Sequence, residues 1–233
     1  MSRKIISGLL ALCLLTVIGY SVARLWQIDT ETAEESALHE QALQYKPAQD
    51  QSAEDPDPLA QLREQNPDIV GWITVPGTNI DYPFVQAKDN DQYLRRDLSG
   101  AYATAGTVFM DYRSPADGAG YSILYGHNMK NGTMFGTLKR FGEKEFFDAH
   151  PTGSILLRDG WHTLQFFACL IVGADDRIVY GQPMAPDFLA NVSARATHYR
   201  EGVSAGPADR IIALSTCAYV FQGARMVLIG KIV

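Results

Sequence analysis

The sequence predicts a mainly β fold: a closed or nearly closed barrel of about eight strands, with an N-terminal helix and one or two short to medium helices in its connections. Three observations lead there. Seven or eight short β-type runs follow one another from residue 69 to the C-terminus, separated by turn-forming residues. Only two later stretches change to the 3.6-residue period of a helix. An uncharged apolar run stands alone near the N-terminus.

That run covers residues 5–23, IISGLLALCLLTVIGYSVA. As a helix it would be roughly 28 Å long, about the thickness of the bilayer hydrocarbon. Arg3 and Lys4 precede it and acids follow it, so the positive-inside bias places the N-terminus in the cytoplasm and the remainder outside. Ser21 and Ala23 would also suit a signal-peptide cleavage site, and in either case the domain is exported. Residues 1–28 are thus expected to be a membrane anchor.

Residues 29–58 are expected to be an acidic flexible linker, and 59–233 the globular domain. From 29 to 68 there are eleven acids against two bases. From 69 onward the charges balance, so the net −6 of the 233-residue chain belongs to its tail. No basic face is left for a nucleic acid, and none is expected as a partner. The linker composition buries too little apolar surface to fold alone, although residues 34–45 could form a frayed helix. A short helix over 58–65 then leads into the domain.

The strands are expected over 69–75, 80–85, 106–112, 121–125, 154–157, 162–172, 210–214 and 226–233. Pro76-Gly77 supplies the first turn. Met134, Phe135, Leu138 and Phe141 share one face of a short helix after the Asn131-Gly132 turn. Phe188, Leu189, Val192, Ala196, Tyr199 and Val203 do the same over 187–203, with Asp187 as N-cap. No phosphate loop, HExxH or CxxC is present, so neither a cofactor nor a metal is expected.

Three cysteines in an exported chain cannot all pair, which excludes a disulfide framework. Cys13 lies in the anchor, and Cys169 lies in a run that reads as a buried strand. Cys217 ends the apolar run from Ile211, at the C-terminal end of a strand, where a nucleophile would be rigidly presented. A buried structural cysteine is the plain alternative. His127 follows another strand in Tyr125-Gly-His-Asn128, where Gly126 would permit an unusual backbone angle and histidine could carry protons near neutral pH. His39, His150, His162 and His198 read as ordinary polar surface. Arg225 begins the last strand, one short loop after Cys217. It is either a solvated edge residue or an always-protonated donor for an oxyanion.

Together these residues resemble the sortase family, and class B in particular. Leu214-Ser-Thr-Cys217 is similar to the family's Leu-x-Thr-Cys motif, Tyr125-Gly-His127 matches its histidine motif, and Arg225 falls at its arginine position. Class B is suggested by Asn66-Pro-Asp-Ile-Val-Gly-Trp72, by Ile80-Asp-Tyr-Pro-Phe-Val-Gln86 with Asp89-Asn-Asp-Gln-Tyr-Leu94, and by the stretch from Gly126 to Leu138.

The resemblance implies an eight-stranded barrel and cleavage of a sorting signal after its Thr. A thioester forms on Cys217, and a peptidoglycan amine then resolves it. It assigns His127 and Arg225 to proton transfer and oxyanion or substrate positioning, and Asn90, Leu94, Tyr125, Ser215 and Thr216 to the signal-peptide groove. Class B members often carry an acid just after the Cys, where this chain has Ala218. The signal could be of Asn-Pro-x-Thr or Pro-x-Thr-Gly type. A pilin lysine as nucleophile is the alternative acceptor, and a non-catalytic membrane-tethered binding protein is the remaining reading.

Overall fold

The computed structural model describes residues 3–49, 57–181, 184, 186–203, 206 and 208–233. The N-terminal apolar run lies within α1 (Arg3–Leu43), a single 41-residue helix. Its stretch Ser7–Gln27, of mean hydropathy 1.9, is long and apolar enough to cross a membrane. The helix continues through the first part of the segment read as linker, and residues 50–56 of that segment lie outside the described residues. The chain divides into two compact units at residue 42, well before the boundary expected at 59.

The reason is side-chain packing within residues 42–46. Ala42 is buried, and Leu43 and Tyr45 pack on the cluster that holds Trp72 and Leu156. The Lys46 ammonium donates to both carboxylate oxygens of Asp81, at 2.7 and 2.9 Å. It also lies 5.8 Å from the Trp72 ring centroid and 5.9 Å from that of Trp161, a favourable placement for a cation.

Among the described residues there are nine strands: β1 (Ile69–Thr74), β2 (Asp81–Val85), β3 (Phe109–Met110), β4 (Tyr121–Tyr125), β5 (Thr152–Leu157), β6 (Gly160–Gly173), β7 (His198–Tyr199), β8 (Ile211–Cys217) and β9 (Ala224–Ile232). Their order is β5-β1-β2-β3-β4-β8-β9-β6-β7, and an added β5–β6 pairing closes eight of them into a barrel. The β2–β3 and β4–β8 pairs are parallel, and the other pairs are antiparallel. The 14-residue β6 is long enough to divide one edge. Residues 160–165 pair with β5, and Ala168 and Cys169 pair with β7, which covers an edge that would otherwise be open.

Both faces of the central strands are buried, which explains runs without polar alternation. In β8, Ile212 and Leu214 join the barrel core with Phe84, Leu124, Phe166 and Leu228. Ile211 and Ala213 point the other way, into an outer cluster with Tyr121, Ile123, Val227 and Ile229. The helix α4 (Phe188–Arg195) closes that cluster through Phe188 and Val192.

The helical readings need correction. α4 ends at Arg195 rather than at 203, because Ala196 turns extended, Thr197 N–H donates to the Cys169 carbonyl and His198-Tyr199 pairs with β6. Thr, His and Tyr are poor helix formers, and the unpaired edge of β6 takes the segment as a strand. Asp187 occupies the N-cap position without a capping bond, its carboxylate accepting instead from Asn191 Nδ2 at 2.8 Å. The short helix expected after Asn131-Gly132 is a 3-10 turn over Leu138–Gly142, followed by α3 (Lys144–Ala149). The lead-in helix is α2 (Ala60–Gln65).

Candidate active site

Strand parity positions the site. In β4, β8 and β9 the odd-numbered residues Ile123, Ala213 and Val227 face the outer cluster. Tyr125, Ser215, Cys217 and Arg225 continue the same rows, because side chains alternate along a strand. The register then sets them side by side. Tyr125 opposes Ser215 across the parallel β4–β8 pair, and Cys217 opposes Arg225 across β8–β9. Three adjacent strand ends thus deliver the three residues singled out in the sequence to one rim of the barrel.

His127 lies two residues past β4, and several bonds hold its segment to β8. Gly126 N–H donates to the Ser215 carbonyl (3.2 Å), and Asn128 Nδ2 donates to the carbonyl of Cys217 (2.7 Å). The Thr216 hydroxyl donates to the Gly126 carbonyl (2.7 Å). Gly126 is required for a reason other than an unusual backbone angle, since its φ is not positive. A Cβ there would lie 2.6 Å from Cγ of Phe135.

The His127 ring is oriented by the backbone. Its Nε2 lies 2.8 Å from the Leu94 carbonyl. A carbonyl can only accept, so Nε2 carries the proton and Nδ1 is the nitrogen available for exchange. Cys217 is partly exposed. The guanidinium of Arg225 donates to the carbonyls of Gly223 (3.3 Å) and Ala224 (3.1 Å). By contrast Cys169 is wholly buried in β6, and burial pushes its thiol up to about 12.

The five residues assigned to the groove by resemblance divide. Leu94 is exposed beside His127, and Tyr125 and Asn90 are half-buried. Ser215 is buried, its hydroxyl 2.8 Å from the Tyr180 phenol. Thr216 lies on the opposite row, buried and bonded to Gly126, so it braces the histidine segment. His150 and His198 are also not simple polar surface. The first stacks on Phe146 at 3.9 Å between centroids, and the second bonds the Gly142 carbonyl.

Two features were missed in the sequence. Tyr180, from the connection after β6, stacks near Tyr125 with centroids 6.4 Å apart. Burial, opposed by the Ser215 bond and the Arg225 charge, pushes its phenol up to about 12, so it remains a neutral hydroxyl at the rim. The second is Asp111, whose wholly buried carboxylate takes bonds from Arg113, Tyr125 and Asn90. Burial raises its pKa, and those bonds more than reverse the effect, leaving it below the usual carboxylate value. A charged residue inside an apolar run was the available signal.

Residues 73–233 match the family model for the sortase domain. Sortase B of Listeria monocytogenes is 38% identical over 184 residues, 76% of this chain and 74% of its own. A class B sortase of Streptococcus pyogenes involved in pilus biogenesis has a crystal structure that superposes with a TM-score of 0.69. It is 33% identical, over 75% of this chain and 97% of its own. The Staphylococcus aureus sortase B–substrate complex gives a TM-score of 0.76 at 27% identity, over 87% and 97% of the two chains. The closed barrel, the outer-face rim and these likenesses agree: the chain belongs to the sortase family of cysteine transpeptidases, and within it to class B.

Proposed function

We propose that this chain is a membrane-tethered transpeptidase acting outside the cell, which cleaves a C-terminal sorting signal after Thr and joins the new carbonyl to a peptidoglycan amine. The observation that carries the reading is the rim itself. Cys217 faces Arg225 across β8–β9, and the His127 segment is strapped to the Cys217 carbonyl through Asn128.

In this mechanism the Cys217 thiolate attacks the Thr carbonyl carbon, forming a C–S bond and an oxyanion. The Arg225 guanidinium donates to that oxyanion or to the adjoining peptide backbone. As the C–N bond breaks, protonated His127 gives its Nδ1 proton to the leaving amine. The acceptor amine then attacks the thioester, His127 takes a proton from it, and Cys217 leaves. Throughout, Nε2–H stays on the Leu94 carbonyl, which keeps the ring in one orientation and one tautomer. Asn90, Leu94, Tyr125 and Ser215 are proposed to meet the signal peptide. The apolar stretch Ser7–Gln27 supports the tether, with the N-terminus on the cytoplasmic side.

The pilus-associated S. pyogenes neighbour favours a second acceptor, a pilin lysine, reached by the same chemistry. Intact-mass spectrometry of the full chain in detergent, incubated with Asn-Pro-x-Thr and Pro-x-Thr-Gly peptides, tests the reading. An adduct with the mass of the peptide up to its Thr, absent in Cys217→Ala, is expected. Folded protein with reduced Cys217 and no adduct from any peptide would overturn it. Adding a peptidoglycan-type amine or a pilin-lysine peptide then separates the acceptors by which one discharges the adduct.

A further inference from the structure

We propose that Asp111 is the positioning residue of the peptide groove, one buried carboxylate that aligns three groups of the groove wall brought from two connections and a strand end. This deepens the function proposed above and rests on it.

The carboxylate has no exposed side-chain surface. Its Oδ2 accepts from Arg113 Nη2 (2.7 Å), the Tyr125 hydroxyl (3.0 Å) and Asn90 Nδ2 (3.2 Å). Its Oδ1 accepts from Arg113 Nε and from the Arg113 backbone N–H, both at 2.9 Å. Arg113 reaches on to the Tyr180 carbonyl at 3.3 Å. The Asp111 carboxylate therefore links the connection after β2, the connection after β3 and the end of β4, and through Arg113 the connection after β6.

The bonds also decide what the groove offers a peptide. Tyr125 spends its only O–H on Asp111, so towards a ligand its oxygen is an acceptor. Asn90 is held at both ends of its amide, because its Oδ1 accepts from the Tyr112 backbone N–H at 3.1 Å. Its orientation is thereby set, leaving one N–H and one lone pair. A buried acid that sets donor and acceptor polarity at a groove, without itself reaching a ligand, governs peptide affinity rather than the chemistry at Cys217.

Asp111→Asn tests this, since the amide keeps the shape but can no longer accept from all of its neighbours. Steady-state cleavage of the sorting peptide by the full chain in detergent should show KM raised about 10-fold or more, the scale of losing charge-assisted bonds. At saturating peptide, kcat should stay within about twofold of wild type. Arg113→Lys keeps the charge but loses the two-pronged contact on a half-exposed side chain. It should raise KM in the same direction by about threefold or more, and it serves if Asp111→Asn folds poorly. Wild-type turnover in the same series answers for the reading above. With it in hand, an unchanged KM in a folded variant, or a fall confined to kcat, would overturn the role given to Asp111.

Discussion

Gly126 offers a sharp test of how the fold positions the histidine. In Gly126→Ala the new Cβ would sit 2.6 Å from Phe135 Cγ and 2.9 Å from each Cδ, against a comfortable carbon–carbon separation of about 3.5–4.0 Å. One side must therefore move by about 1 Å. The Phe135 ring cannot retreat easily, being fully buried among Ile80, Leu124 and Leu138. The backbone of Gly126 is held in turn by Ser215 and Thr216, and the His127 carbonyl accepts from Phe135 N–H at 3.0 Å. Overpacking of this kind costs about 1–3 kcal/mol. For a domain of this size that lowers the thermal midpoint by about 2–12 °C. A 1 Å displacement of a catalytic group costs about 100-fold in rate, so peptide cleavage should fall by that order. Combining Gly126→Ala with Phe135→Leu frees the space and should restore much of both. Wild-type kcat/KM and midpoint in Gly126→Ala alone would refute the reasoning.

Other perturbations follow from the same contacts. Thr216→Val keeps shape but removes the bond to Gly126, so it should cost about 0.5–1.5 kcal/mol by urea denaturation and lower cleavage without abolishing it. Asp111 is held below its ordinary pKa by its donors despite burial. Its stabilising contribution is therefore complete above the unfolded value, about pH 4, and is lost as pH falls through the lower folded value. The urea midpoint of the wild type should consequently drop more steeply than that of Asp111→Asn on acidification below about pH 4. Lys46→Met removes a cation bonded to Asp81 and should cost about 1.5–3 kcal/mol, with faster proteolysis of the segment just after α1. Arg225→Lys keeps charge but not the planar fork, and cleavage should fall by about 10-fold or more while the thermal midpoint holds.

The barrel and the strand-end places of Cys217 and Arg225 were legible because both rest on periodicity. Ile211 to Cys217 reads as an apolar run because each face of β8 meets a separate core, and a strand's length decides which residue stands at its end. Tertiary competition was less legible. Ala196, Tyr199 and Val203 keep helical spacing, yet the free edge of β6 recruits His198 and Tyr199 as a strand. Ala42 to Lys46 looked like spacer because Asp81 and Trp72, which hold them, come far later in the chain. The roles of Thr216 and Gly126 depended on which row faces the groove and on how near Phe135 comes. Neither distance nor facing is written in a motif.

The parallel pairing of β4 with β8 has a kinetic consequence. Tyr125 and Ser215 are direct partners although ninety residues separate them, and contacts so far apart in sequence form slowly because loop closure precedes any reward. Until β8 docks between β4 and β9, Cys217 has neither the His127 segment nor Arg225 paired to its strand. On the roles proposed above, the newly made chain therefore carries an unassisted thiol, and transpeptidase competence arrives only with barrel closure. The rate at which Cys217 acquires its reactivity would time the last long-range step of folding.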